Sequence, residues 1–125
     1  MTATQDTQHV GRFIYATSRL EFELTLLLRL MGQPGAEPAD LAANARDAQA
    51  LFGALPADDG VKGEFTALMD GIVAFGEQRD AIFAGIADMD AEELAARNAQ
   101  IAATSGQVRH FHALAEAMVP GSQRA

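Results

Sequence analysis

Phe75-Gly76-Glu77-Gln78-Arg79-Asp80-Ala81-Ile82-Phe83-Ala84-Gly85-Ile86 is the stretch on which the reading of this chain turns. On a helix advancing about 100° per residue, Arg79 shares a face with Ile72, Phe75, Ile82, Phe83 and Ile86, three, four and seven positions away. Its guanidinium therefore sits in the middle of an apolar stripe. A guanidinium does not give up its proton, and burying one alone costs several kcal/mol, so the stripe implies an acid supplied by another element. The stretch reads as the second half of a long helix that packs against at least one other.

Extended outward, that helix runs from about residue 61 to 86, with Asp58 or Asp59 near its start and Phe65, Leu68, Ile72, Phe75, Ile82, Phe83 and Ile86 as its core. Gly63, Gly71, Gly76 and Gly85 each cost about 1 kcal/mol in a helix relative to alanine. Gly71 and Gly76 are expected to admit a neighbouring backbone, and Gly85 to mark the helix end. After it, Asp90-Ala91-Glu92-Glu93 resembles a capping box and opens a helix that reaches about Val119 and stops at Pro120-Gly121. Leu94, Ile101, Val108, Phe111, Leu114, Ala115 and Met118 form its inner side.

Upstream, a first helix spans about residues 6 to 31, with Asp6 or Thr7 as cap and Gly32 followed by Pro34 as its stop. Its main face is Val10, Phe13, Thr17, Leu20, Leu24, Leu27, Leu28 and Met31. Glu21 lies beside that face, between Ile14, Leu24 and Leu28. A second apolar patch, Tyr15, Phe22, Leu26 and Leu30, lies on roughly the opposite side, and a helix apolar on two sides needs two partners. A short second helix runs from about Pro38 to Phe52, with a narrow stripe of Leu41, Ala45, Ala48, Phe52 and Leu55. Pro56-Ala57-Asp58-Asp59-Gly60 breaks the chain clearly. Strand-like alternation and internal repeats are absent. The expectation is an all-α single domain over residues 1–125 (core about 6–119), folded as an antiparallel, up-and-down four-helix bundle.

Bulk properties narrow the function. At 125 residues the chain can bury a proper core. It has no cysteine, which excludes disulfides and thiolate metal sites and fits a reducing cytoplasm. The polar N-terminus does not read as a signal peptide, and the apolar segment 24–31 is too short to span a bilayer. A formal charge of −8 repels phosphate backbones and argues against general nucleic-acid binding.

The common helical-bundle chemistries are not encoded. A di-iron carboxylate bundle needs Glu-x-x-His pairs, and none of His9, His110 and His112 follows a Glu by three positions. No phosphate-binding glycine loop is present. His110 and His112 point to opposite faces of the last helix and cannot share a metal. No metal or cofactor is expected. His110 reads as a surface residue and His112 as a hydrogen-bonded, partly buried one. The remaining constellation is Arg79 with Glu21. Its bland reading is a buried ion pair that fixes helix register. Its functional reading is a binding or catalytic arginine oriented by the acid, with Asp80 as a second local acceptor.

Three features together resemble the HEPN (higher eukaryotes and prokaryotes nucleotide-binding) domains: Leu20-Glu21-Phe22 within a long first helix, a short second helix, and the segment Glu77 to Gly85. That segment is similar to the family's pattern of an Arg, a polar residue and a His four to six positions beyond the Arg. The match covers roughly residues 6–119. The resemblance implies a helical bundle that dimerises, and in many members a metal-independent ribonuclease with the Arg and His at the dimer interface. This chain has Asp80 for the usual Asn and Ala84 where the His would stand, so only Arg79 carries over. The simpler reading is a non-catalytic, dimerising module that binds a protein partner, in a toxin–antitoxin or regulatory system. The alternative is a ribonuclease or nucleotide-binding protein with a site rearranged around Arg79 and His112. The patch of Tyr15, Phe22, Leu26 and Leu30 is the expected homodimer contact; the alternative is that the second helix or the loop after Gly32 folds over it within one chain.

Overall fold

A computed structural model describes residues 2–33, 37, 38 and 40–119, with side chains placed from Gln8 onward. Among the described residues every regular element is a helix, as the periodicity demands: α1 (Thr2–Leu30), α2 (Leu41–Gly53), α3 (Asp59–Ala84), a single 3-10 turn (Ile86–Asp88) and α4 (Ala91–Met118). The four helices pack as a bundle around one core. α1 lies along α4 and α2 along α3, α1 also meets α2, and α3 and α4 scarcely touch.

The caps show which local signals prevailed. Asp90 Oδ1 accepts from the Glu93 amide at 2.8 Å, and Asp58 Oδ1 accepts from the Val61 amide at 2.8 Å, each satisfying an orphan donor of the first turn. The Glu93 carboxylate leans toward Arg97 at 3.5 Å. α1 ends in a Schellman arrangement. Gly32 takes φ +95°, its amide donates to Arg29 O at 3.0 Å, and the Gln33 amide donates to Leu28 O at 2.9 Å.

Three expected boundaries move. α1 is already helical at Thr2, so the backbone at Asp6 and Thr7 lies inside the helix rather than at its start. α2 starts at Leu41 rather than Pro38, because Asp40 is the cap: its Oδ1 accepts from the Ala43 amide at 3.2 Å. α3 closes at Ala84 instead of 86, with the Gly85 amide bonded back to Ala81 and Ile82 and the chain tightening into the 3-10 turn. Pro34, Pro120 and Gly121 lie outside the described residues.

Inter-helix contacts fix the directions. Glu21 meets Arg79 and Phe13 meets Phe83, so α3 runs against α1. Gln49 bonds Asp70 at 2.8 Å and Phe52 stacks on Phe65 at 4.1 Å, so α3 also runs against α2. Asn98 Nδ2 donates to His9 O at 3.4 Å and Arg109 Nη1 lies 3.8 Å from Glu23 Oε1, so α1 and α4 climb together. α1, α2 and α4 therefore run the same way and α3 runs against all three, so the expected up-and-down alternation holds from α2 to α3 and from α3 to α4 but not from α1 to α2.

The core is the expected one in the main. Phe13, Leu20, Leu24, Leu27 and Leu28 of α1 are buried against Leu41, Ala45, Ala48 and Phe52 of α2, Phe65, Met69 and Ile72 of α3, and Leu94, Val108 and Ala115 of α4. The two mid-helix glycines separate. A Cβ on Gly76 would lie 2.6 Å from the Ala42 backbone nitrogen and 3.1 Å from Leu41 Cβ, so glycine there lets the start of α2 sit directly on α3. A Cβ on Gly71 would meet nothing within 4 Å; no backbone approaches it, contrary to expectation.

Candidate functional site: the Arg79–Glu21 pair and the outer face of α1

Arg79 and Glu21 are brought together from opposite halves of the sequence. Arg79 Nε donates to Glu21 Oε2 at 2.9 Å, a charge-assisted bond of the shorter kind. Each residue interrupts an apolar face because the other neutralises it. The same guanidinium lies over the Phe83 ring, 4.9 Å from its centroid, and Phe83 packs in turn on Phe13 with centroids 5.2 Å apart. Asp80, whose side chain is fully exposed, approaches Arg79 Nη1 at 3.7 Å and adds little. The pair is less buried than the stripe of apolar neighbours suggested: the Glu21 side chain is 10% exposed, but that of Arg79 is 27% exposed. The guanidinium is held at the edge of the core, with one side on carboxylate and ring and the other toward water.

His112 is far from this point. Its Nδ1 lies 3.3 Å from Glu116 Oε1 within α4, and the ring is half-buried. The neighbouring Phe111 packs on Phe65 with centroids 5.1 Å apart. Phe65 precedes Arg79 by fourteen residues of α3, about 21 Å along the helix axis. One chain therefore does not assemble Arg79 and His112 into a single site. Ala84, where the family pattern has its His, is exposed at the last residue of α3. His110 is exposed. Among the described residues, no group of three or more His, Asp or Glu side chains is placed to hold a metal ion, and no helix is long and apolar enough to cross a membrane.

The second apolar patch of α1 divides. Tyr15 is 65% exposed and Phe22 54% exposed, whereas Leu26 and Leu30 are half-buried and Leu30 packs on the core. Ile14, 47% exposed, joins Tyr15 and Phe22 on the outer face. Sequence reasoning placed Ile14 only as a neighbour of Glu21. Gly11 and Ser18 lie between them on that face, and Arg12, Arg19 and Arg29 stand exposed around it.

Glu23 was missed. It is buried, its Oε1 accepts from Arg19 Nη2 at 3.0 Å, and Arg109 of α4 comes within 3.8 Å of the same atom. The Arg19/Glu23 spacing of four was visible in the sequence, but it reads there as a solvated helix pair. Across the other pair of helices, Arg46 Nη2 and Glu77 Oε2 meet at 2.7 Å on the surface.

Neither a family model nor a curated protein nor a solved structure matches the chain.

Proposed function

We propose that this chain is a non-catalytic, HEPN-like helical module that dimerises and binds a protein partner, in a toxin–antitoxin or regulatory system. The observation that carries the reading is the outer face of α1. Ile14, Tyr15 and Phe22 are large, apolar and about half exposed or more, on a helix whose opposite face is fully occupied by the core. Three large apolar side chains left exposed on one helix face mark an interaction surface. Burying each side chain on association contributes about 1.5–3 kcal/mol, before the entropic cost of association. A cytoplasmic setting belongs to the same reading and rests on the absence of cysteine.

The test is the oligomeric state. Light scattering at micromolar concentration should report a dimer for the unmodified chain and a folded monomer for the Tyr15→Asp, Phe22→Asp double variant. A monomeric unmodified chain sinks dimerisation through this face.

Loss of catalysis is supported by two observations: Ala84 stands where an imidazole would be needed, and His112 lies about fourteen helical residues, roughly half the length of α3, from Arg79. The net charge of −8 further disfavours approach of RNA. The pure protein should leave unstructured RNA intact over an extended incubation. Cleavage that disappears in Arg79→Ala would restore the ribonuclease reading.

A further inference from the structure

Because α3 and α4 scarcely touch, a groove of about 470 Å³ runs between them. Its floor is apolar: Leu20 of α1, Leu68, Ile72, Phe75 and Ile82 of α3, and Ile101 of α4. The α3 wall is kept low by Gly71, flanked by Ala67 and Ala74, and a side chain added at Gly71 would enter open space.

One end of the groove is chemically distinct. The ring contact of Phe65 with Phe111 sets the register of the two antiparallel helices. Counted from it, Gln78 is thirteen residues along α3 and Arg97 fourteen residues back along α4, so the two stand level. Both line the groove. Arg97 is poorly engaged by the protein itself. Its Nη2 reaches Glu93 at only 3.5 Å, and its Nε is buried with no hydrogen-bond partner. Leaving a guanidinium donor unmade away from water is costly, and an anionic oxygen brought in along the groove removes that cost.

From Arg97 to Gln107 the groove extends about 15 Å along α4. A single linear chain matches that length, since a ten-carbon carboxylate is about 14 Å long from its carbon–carbon bond lengths, and its anionic head answers the unmade Arg97 donor at one end. We propose that the α3–α4 groove binds a medium-chain linear carboxylate, its tail along Leu68, Phe75 and Ile101 and its head group on Arg97 and the Gln78 amide. This site is separate from the outer face of α1 and stands or falls independently of it.

Calorimetric titration of the full chain with sodium decanoate, below its micellar concentration, tests the proposal against decylammonium as a probe of the same length and opposite charge. A protein of net charge −8 with no built site prefers the cation. The groove predicts the reverse, with decanoate bound and decylammonium at least tenfold weaker. Octanoate, two methylenes shorter, should bind about fifteenfold more weakly than decanoate. Gly71→Leu should abolish decanoate binding while circular dichroism shows the helices intact, and Ala74→Leu serves the same purpose if the first variant does not fold. Arg97→Gln should lower decanoate affinity about tenfold or more and leave decanol binding unchanged. No decanoate binding by the unmodified chain, equal binding of the two charged probes, or unchanged binding by folded Gly71→Leu and Ala74→Leu overturns it.

Discussion

Phe52→Ala is expected to destabilise the protein by about 3–5 kcal/mol, the range for truncating a fully buried aromatic. Phe52 of α2 stacks on Phe65 of α3 with ring centroids 4.1 Å apart and planes inclined by 13°. Phe111 of α4 closes the group, its plane steeply inclined to both rings, with centroids 5.7 Å from Phe52 and 5.1 Å from Phe65. Phe52 and Phe65 are buried and Phe111 nearly so, so three helices are joined at one point by ring contacts in preferred geometries. Here α3 meets α4, whose backbones come close to each other at few points. Removing the central ring leaves a cavity that α3 and α4 have few other contacts to collapse upon. For a domain of this size the change should lower the thermal midpoint by more than about 10 °C. Phe52→Leu, which keeps most of the volume, should cost less than half as much. A Phe52→Ala variant within about 1 kcal/mol of the parent by chemical denaturation shows that the three rings do not act together.

Much of the fold was legible because its signals are local. Asp90 and Gly32 act within a single turn, and the periodic faces of α1 and α4 need no knowledge of a partner. The start of α2 misread for a local reason too: Pro38 is acceptable in a first turn, but the Asp40 carboxylate offers the Ala43 amide a hydrogen bond that proline cannot. Other features depend on what lies opposite. Gly71 and Gly76 are alike in sequence, five residues apart on one helix, and only the approach of Leu41 and Ala42 distinguishes them. The shared direction of α1 and α4 is likewise fixed by long-range pairs, His9 with Asn98 and Glu23 with Arg109, that no helical period reveals.

The candidate site was legible in proportion to its conflict with the surrounding pattern. A charge amid apolar neighbours signals a partner, and Arg79 and Glu21 each carry that signal. Glu23 does not, because Arg19 four residues away satisfies it on paper; its burial comes from α4 packing over it. Tyr15, Phe22, Leu26 and Leu30 share one side of α1, yet Leu30 is covered by the core while Tyr15 and Phe22 are not. The reach of the neighbouring helices, which a helical wheel does not contain, draws that line.

The pairing of Arg79 with Glu21 leads to an asymmetric result: Arg79→Ala should cost about 2 kcal/mol and Glu21→Ala about half that. Breaking a fully buried pair costs about 3–5 kcal/mol, chiefly through the charge left behind. Here the figure falls because the Arg79 side chain is 27% exposed, and water screens it. Glu21 is the more deeply placed partner, 10% exposed, so a carboxylate stranded by Arg79→Ala has less recourse to solvent than a guanidinium stranded by Glu21→Ala. The stranded Arg79 keeps Phe83 beneath it and Asp80 beside it. Replacing both residues with methionine removes the two charges together and fills the space, so that variant should be about as stable as the parent. A double-mutant cycle by urea denaturation reads the coupling directly, with about 1–2 kcal/mol expected and additivity within about 0.5 kcal/mol fatal to the idea. The methionine pair also separates the two roles open to Arg79. If the ion pair only sets the register of α1 against α3, the variant retains dimerisation through Tyr15 and Phe22. Loss of dimer from a variant that is stably folded places Arg79 in the contact with the partner instead.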